Sequence, residues 1–485
     1  MPPNDRGQIL CDMEGVPDSH NRPASPDEFA RVNTGIAALV AKRILETKGD
    51  ARSAPIAQVH PLLHPLPSAS SGESSALPSR TRLKRAAAPD VLVVGAGPAG
   101  LAAAAELGRR GISAQVLERG ESVATSWRRR YDRLRLNTSR WTSNLPHARY
   151  PNAAGMFPSR DDVVGYLEDY AARNGIEIRS DTIVQRVDRA HHWTLTTSAG
   201  QMRTAHLIIA TGHQHTPLIP AWPGREQFSR HLLHSAEYRN PRDFHGADVL
   251  VVGPGSSGLE IAYDLAESGA SRIRVAIRTQ PNIILRQAGP LPGDVPATLM
   301  YRLPPQIGDR QTRLIRRLTV GDLSAHGLVP PTEGIMSRSH REGKAPAILD
   351  KPVIDAIKQR RIEIVAAVES FDATGVVLAD RTRLEPDVVI AATGYTTGLE
   401  PLVGHLGVLD ARGVPLIHGG PAAAPGLRFI GYQPRPGQIG YIGAEAKHAA
   451  KQIKKELKKS TASEHGLLAA RFLSRGGRQE GGTQC

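Results

Sequence analysis

Two stretches of this chain share one pattern, and that pattern leaves little choice of fold. VLVVGAGPAGLAAAAEL holds Gly95, Gly97 and Gly100, and DVLVVGPGSSGLEIAYDL holds Gly253, Gly255 and Gly258. Each runs from a short β-branched segment through GxGxxG into a helix-forming segment. In such a unit the first glycine permits the tight turn, the second lets backbone approach a pyrophosphate, and the third lets helix and strand pack closely. The free amides and the positive end of the helix dipole then face an anion. A single GxGxxG is weak evidence. Two, each flanked by the right elements, define an α/β protein with two dinucleotide-binding, Rossmann-like domains.

The residue that closes the strand after each turn separates the two sites. After the first turn, a strand over Ile112–Leu117 ends at Glu118, about 20 residues beyond the turn, where an acid holds ribose hydroxyls. After the second, a strand over Ile273–Ile277 ends at Arg278, and Thr279 adds a hydroxyl. An arginine there pairs with a ribose 2′-phosphate, which a glutamate would repel. The expectation is FAD at the first turn and NADPH at the second. Strands over Ala205–Ala210 and Val388–Ala392 run into Thr211-Gly212 and Thr393-Gly394, endings that bring backbone close to a cofactor.

Composition excludes the nearest competing chemistry. Flavin disulfide reductases share this architecture but need a redox-active cysteine pair, and the only cysteines here are Cys11 and Cys485. The formal charge of +14 raises nucleic acid or membrane as partners. No aromatic-interleaved basic motif or zinc-finger spacing accompanies it, so solvated surface charge beside polyanionic cofactors accounts for it. No apolar run approaches the roughly 20 residues of a membrane span, and no basic-then-apolar leader opens the chain, so a cytoplasmic protein is expected. No metal site is expected.

The chain divides accordingly. Residues 1–88 read as a mostly disordered, Pro- and Ser-rich extension with one helix over 26–48, opened by the capping box Ser25-Pro26-Asp27-Glu28. Residues 89–227 form the first part of the FAD domain, and 228–388 an inserted NADPH domain with an irregular, basic segment over 283–350. Residues 389–460 return to the FAD domain, ending in a lysine-rich helix, and 461–485 form a disordered tail. A homodimer is a further expectation.

With these residues placed, the chain from about 90 to 458 resembles the class B flavin-dependent monooxygenases, the group of flavin-containing monooxygenases, plant YUCCA enzymes and Baeyer–Villiger monooxygenases. Their fingerprint, FxGxxxHxxx followed by Tyr, Phe or Trp, aligns with Phe228, His234 and Tyr238, with Arg230 in the place of its glycine. VLERGESVATSWRRRYDRLRLNT, FPSRDDVVGYLEDYA, GDLSAHGL and DVVIAATGYTTGLEP are similar to YUCCA-like text. Tyr238 favours the heteroatom-oxidising or YUCCA-like branches. Arg278-Thr279-Gln280-Pro281 is similar to a Baeyer–Villiger segment and makes Arg278 a catalytic candidate as well.

The resemblance implies that Glu118, Trp127, Leu136 and Thr138 line the FAD site with Val184 near the adenine, and that Ser256 and Ser257 meet the NADPH pyrophosphate. Arg119 and Gln438 join the cofactor-binding candidates. Asn137 is a catalytic candidate beside the flavin or an ordinary turn residue, while His234 and Tyr238 position the interdomain linker. The implied reaction is reduction of FAD by NADPH, addition of O2 at flavin C4a and transfer of one oxygen atom to a small organic substrate. N- or S-oxygenation, oxidative decarboxylation of a 2-oxo acid and Baeyer–Villiger oxidation stay open. So do an uncoupled NADPH oxidase and a non-enzymatic flavin-binding redox sensor.

Overall fold

The structure, a computed structural model, describes residues 89–476 except Pro290 and Lys344, and side chains as far as residue 460. The helix expected over 26–48 and the rest of 1–88 lie outside the described residues, as do 477–485.

The first unit forms as its pattern demands: β1 (Val91–Val94), helix α1 (Pro98–Gly108) and β2 (Ala114–Leu117). Strand β3 (His206–Ile209) flanks β1 on its other side, so Val94 lies between Leu117 and Ile209 in a parallel register. Every residue of β1 and β3 is buried. This is why β1, and β3 after His206, read as apolar runs rather than alternating ones. Glu177–Arg179, Leu427–Phe429 and Ala422–Ala424 complete a six-stranded sheet. The alanines of α1 share a core with Ala446, Ala449, Ala450 and Ile453 of the C-terminal helix, Gln438–Gly476. That helix continues past Ser460, beyond which the sequence predicts disorder. The text after Ser460 still carries Leu467, Leu468, Ala469 and Ala470 and contains no proline.

The second sheet is built from β4 (His231–His234), β5 (Asp248–Val252), β6 (Arg272–Ala276) and β7 (Val388–Ala391), with Glu363–Val365 at one edge. Helix α2 (Ser256–Glu267) follows the second glycine turn. All these strands are parallel. The first sheet takes its strands from before residue 210 and after 421, and the second lies between, so one Rossmann-like unit is inserted into the other. Two readings change. The linker HLLH is itself the edge strand of the second sheet. β7 pairs β5 along its length, so the return crossing falls after Ala391, not at 388/389.

Residues 283–350 are not irregular. They hold Asp294–Met300, α3 (Pro305–Thr319), α4 (Ile335–Glu342) and the parallel strands Ile283–Leu285 and Ala347–Leu349. Pro305 sits in the first turn of α3, where a helix tolerates it. The inward side of α3 is mostly polar, with only Ile315 packing against the cluster of Met300, Ile335 and Met336: Asp309 is buried and accepts the Met336 amide at 2.7 Å, capping α4. An apolar periodicity directed at the core is therefore missing from the sequence. Among the described residues no helix is long and apolar enough to cross a membrane.

Candidate cofactor and active site

Both glycine turns have the shape their sequence demands. Gly95 has φ +106° and Gly253 φ +119°, and a Cβ on either would meet a backbone oxygen, Ala210 O at 2.7 Å or Ala392 O at 2.5 Å. A Cβ on Gly100 would lie 1.8 Å from Gly95 O, and on Gly258 2.0 Å from Gly253 O. Gly97 and Gly255 are different: nothing lies within 4 Å of where a Cβ would go. Each turn is thus packed tightly at its first and third glycines and open at its second, a cradle that suits a pyrophosphate. The two Ala-Thr-Gly endings lie against the first glycines, as the positions of Ala210 and Ala392 show.

Around the first turn, Glu118 is buried and accepts the Ala96 amide at 2.7 Å and the Gly120 amide at 3.0 Å. Arg119 donates to His215 Nε2 at 2.9 Å. Burial first, and the Arg119 charge second, push the His215 pKa down to about 4. Trp127 and Leu136 pack into the core that holds Ala96 and Ala99. Thr138 Oγ1 lies 2.8 Å from Ser143 Oγ. Thr211 Oγ1 lies 2.8 Å from the Tyr432 hydroxyl, and Gly212 opens onto empty space with φ +84°. Gln438 Nε2 donates to Gly431 O at 3.3 Å. Val184 stands on a separate three-stranded antiparallel sheet, packed with the cluster of Leu117 and Tyr432.

Around the second turn, Arg278 is exposed at the carboxyl end of β6 and has no ion pair among the described residues. Ser256 Oγ accepts the Ile348 amide at 2.9 Å, so part of its hydrogen-bonding capacity serves the fold. The Ser257 side chain lies beside the Tyr131 hydroxyl and opposes the rise in its pKa that burial causes. Thr393 Oγ1 donates to Leu218 O. Gly394, with φ +91°, offers its carbonyl to His234.

The linker residues are structural ties. Phe228 packs edge-on to Phe371, ring centroids 5.1 Å apart. Arg230 does not adopt a positive φ. It pairs with Asp387 at 3.1 Å and bonds the Glu385 and Pro386 carbonyls, so the fingerprint's missing glycine leaves no strain. His234 is buried; its Nδ1 accepts the Ala236 amide at 3.0 Å and its Nε2 donates to Gly394 O at 2.9 Å. Burial lowers its pKa, which keeps the ring neutral in this one tautomer. The Tyr238 hydroxyl donates to Asp264 at 2.8 Å, and burial, then the Asp264 charge, raises its pKa.

Sequence reasoning missed the residue that joins the two halves. Arg286 is buried; it donates to Asp350 at 2.7 Å, to Asn137 Oδ1 at 3.3 Å and to Glu260. The other Glu260 oxygen accepts from the Tyr131 hydroxyl at 2.6 Å. Burial raises the Glu260 pKa against the opposing Arg286 charge. This network borders a cavity of ≈ 120 Å³ lined also by Arg133, Arg135 and Tyr263. The available signal was Glu260 and Asp264, two acids four residues apart among the apolar residues of α2, which demand buried partners.

Two open cradles on two parallel sheets, one inserted in the other, define the class of two-dinucleotide flavoprotein oxidoreductases. Residues 92–286 match the family model for pyridine nucleotide-disulphide oxidoreductases. The chain is 35% identical over 330 residues to indole-3-pyruvate monooxygenase YUCCA1 of Oryza sativa subsp. japonica, covering 67% of this chain and 81% of that protein. A flavin-containing monooxygenase from Stenotrophomonas maltophilia has the same fold, with TM-score 0.60, 24% identity, and coverage of 76% of this chain and 99% of that one. So does OTEMO in complex with FAD and NADP, with TM-score 0.58, 18% identity, and coverage of 77% and 86%. The chain belongs to the class B flavin-dependent monooxygenases, and it is an NADPH-dependent flavoprotein monooxygenase.

Proposed function

We propose that the enzyme oxidatively decarboxylates an aryl-bearing 2-oxo acid. The observation that carries this reading is the 35% identity, over 81% of its length, to a rice indole-3-pyruvate monooxygenase. The reaction balances as 2-oxo acid, O2, NADPH and a proton giving the acid one carbon shorter, CO2, water and NADP+. The C1–C2 bond breaks; one oxygen atom of O2 ends in the new carboxyl group and the other in water. FAD, when bound, supplies the relay of electrons from NADPH to O2.

The residues divide the work. Gly95, Gly97 and Gly100, with Thr211 and Gly212, hold FAD, and Glu118 both shapes that turn and meets the ribose. Trp127, Leu136, Thr138, Arg119 and Gln438 line the same site, with Val184 toward the adenine. Gly253, Gly255 and Gly258, with Ser256, Ser257, Thr393 and Gly394, hold NADPH, and Arg278 pairs with its 2′-phosphate. Asn137 turns its Oδ1 to Arg286, which leaves its amide nitrogen to donate to the cofactor. Phe228, His234 and Tyr238 hold the linker. We place the enzyme in the cytoplasm, where NADPH and a chain with two lone cysteines fit a reducing compartment.

The test supplies NADPH, O2 and indole-3-pyruvate, and measures the shortened acid, CO2 and hydrogen peroxide. Acid and CO2 formed in step with NADPH consumed are expected. NADPH consumption recovered entirely as peroxide, or ester formation from cyclic ketones without acid formation, overturns the substrate assignment.

A further inference from the structure

Helix α3 turns a mostly polar side inward, Ile315 apart. Gly308, Asp309 and Thr312 are buried, while Ile307, Leu314 and Leu318 stand outward at 46%, 44% and 36% exposure. Recurring at i, i+7 and i+11, these three form one narrow stripe along the helix. Leu299 and Leu303 continue the exposed run through the preceding short helix and turn. Large apolar side chains exposed singly are ordinary. Here five of the twelve large exposed hydrophobics among the described residues fall between 299 and 318, so the feature is a patch.

Charge decides what could cover it. Arg302, Arg310 and Arg313 are exposed on this segment and have no ion pair among the described residues. The one carboxylate between 299 and 319 is Asp309, which is buried against α4. Among the described residues the outward face of this segment is therefore apolar and cationic, and the exposed acid Asp322, past its end, faces Arg316. Pairing two copies through it would set arginines against arginines. A negatively charged interface with an apolar interior satisfies both the stripe and its flanking arginines, which is how basic amphipathic helices lie in the headgroup plane.

We propose that α3 and the turn before it seat the enzyme on an anionic lipid surface. The leucines and Ile307 enter the acyl boundary, and Arg302, Arg310 and Arg313 meet the headgroup phosphates. The proposal does not depend on the choice of substrate.

The full, FAD-loaded chain is co-sedimented with vesicles of phosphatidylcholine alone and of phosphatidylcholine mixed with phosphatidylglycerol. Pelleting with the anionic vesicles, weakened by added salt, is expected. Leu314→Glu combined with Leu318→Glu abolishes it. Arg310→Gln combined with Arg313→Gln weakens it by roughly fivefold for each arginine. Flavin absorbance and melting temperature, which these exposed positions leave unchanged, report folding. If the leucine variant loses flavin, the arginine variant and the salt dependence decide. The proposal fails if the wild type does not pellet with anionic vesicles at low salt, or if both variants pellet as it does. It also fails if sedimentation velocity shows a self-association that Leu314→Glu removes, which would make a second copy the occupant.

Discussion

The two glycine-rich units follow one backbone plan and are embedded by different means. At the first, the acid Glu118 is drawn into the turn by the Ala96 and Gly120 amides. Helix α1 packs through alanines onto the C-terminal helix, and its buried acid, Glu106, finds a partner one turn away in Arg110 at 2.5 Å. At the second, Arg278 stays exposed. Helix α2 buries Glu260 and Asp264 against Arg286, Tyr131 and Tyr238, groups 26 or more residues distant in the chain. Equal turns do not make equal domains. The face of the helix after the turn decides whether a unit is core, as α1 is, or junction, as α2 is.

The largest effect should come from the third glycines. Gly100→Ala and Gly258→Ala each force a Cβ against a backbone oxygen 1.8 or 2.0 Å away. Little folded, flavin-bearing protein is expected from either, measured by absorbance near 450 nm and yield. A well-folded Gly258→Ala would show that the second turn is looser than the first.

Next, Arg286→Met leaves Glu260 buried without its cation, a loss of about 3–5 kcal/mol. Adding Glu260→Leu should restore part of the melting temperature. Arg110→Met, whose partner Glu106 keeps His147 at 3.0 Å, should cost less. Equal losses would remove the distinction between core and junction helix.

The open second glycines separate the cofactors. Gly97→Ala and Gly255→Ala meet no atom within 4 Å, so folding persists. The first should lower FAD content, and the second should raise the NADPH KM by about tenfold or more, a loss of ~1.4 kcal/mol, with flavin retained. Arg278→Ala should raise the NADPH KM by roughly tenfold, as expected for losing one charge-assisted bond, and leave the NADH KM unchanged. An unchanged NADPH-to-NADH preference would remove Arg278 from the 2′-phosphate role.

The smallest effect is acid sensitivity. His215, His213 and His234 have pKa values lowered chiefly by burial, His215 to about 4. A lowered folded pKa favours the neutral ring. This contribution is complete above the unfolded value near 6.5 and is lost as pH falls toward the folded one. The melting temperature should drop by a few degrees between about pH 6.5 and 4, and His215→Gln should flatten the slope.

Much of this is legible in the residues alone. Both cradles, both Ala-Thr-Gly endings and the exposed Arg278 lie where the motifs put them. Glu118 and Ser256 each bond a backbone amide whose approach no local pattern announces. Residues 283–350 defeat the pattern for a related reason: α3 presents polar groups to its neighbours, so the usual helical signature points outward.

By itself the sequence determined the two turns, their order and the difference in charge between Glu118 and Arg278. Each follows from a steric or electrostatic demand met within one strand–turn–helix unit. Only the tertiary structure decided that Arg286 joins Asn137 to α2, that β4 and β7 belong to the second sheet, and that α3 faces outward. Those outcomes depend on which distant segments come together to pair buried charges and backbone amides, and the spacing along the chain carries no period that encodes it.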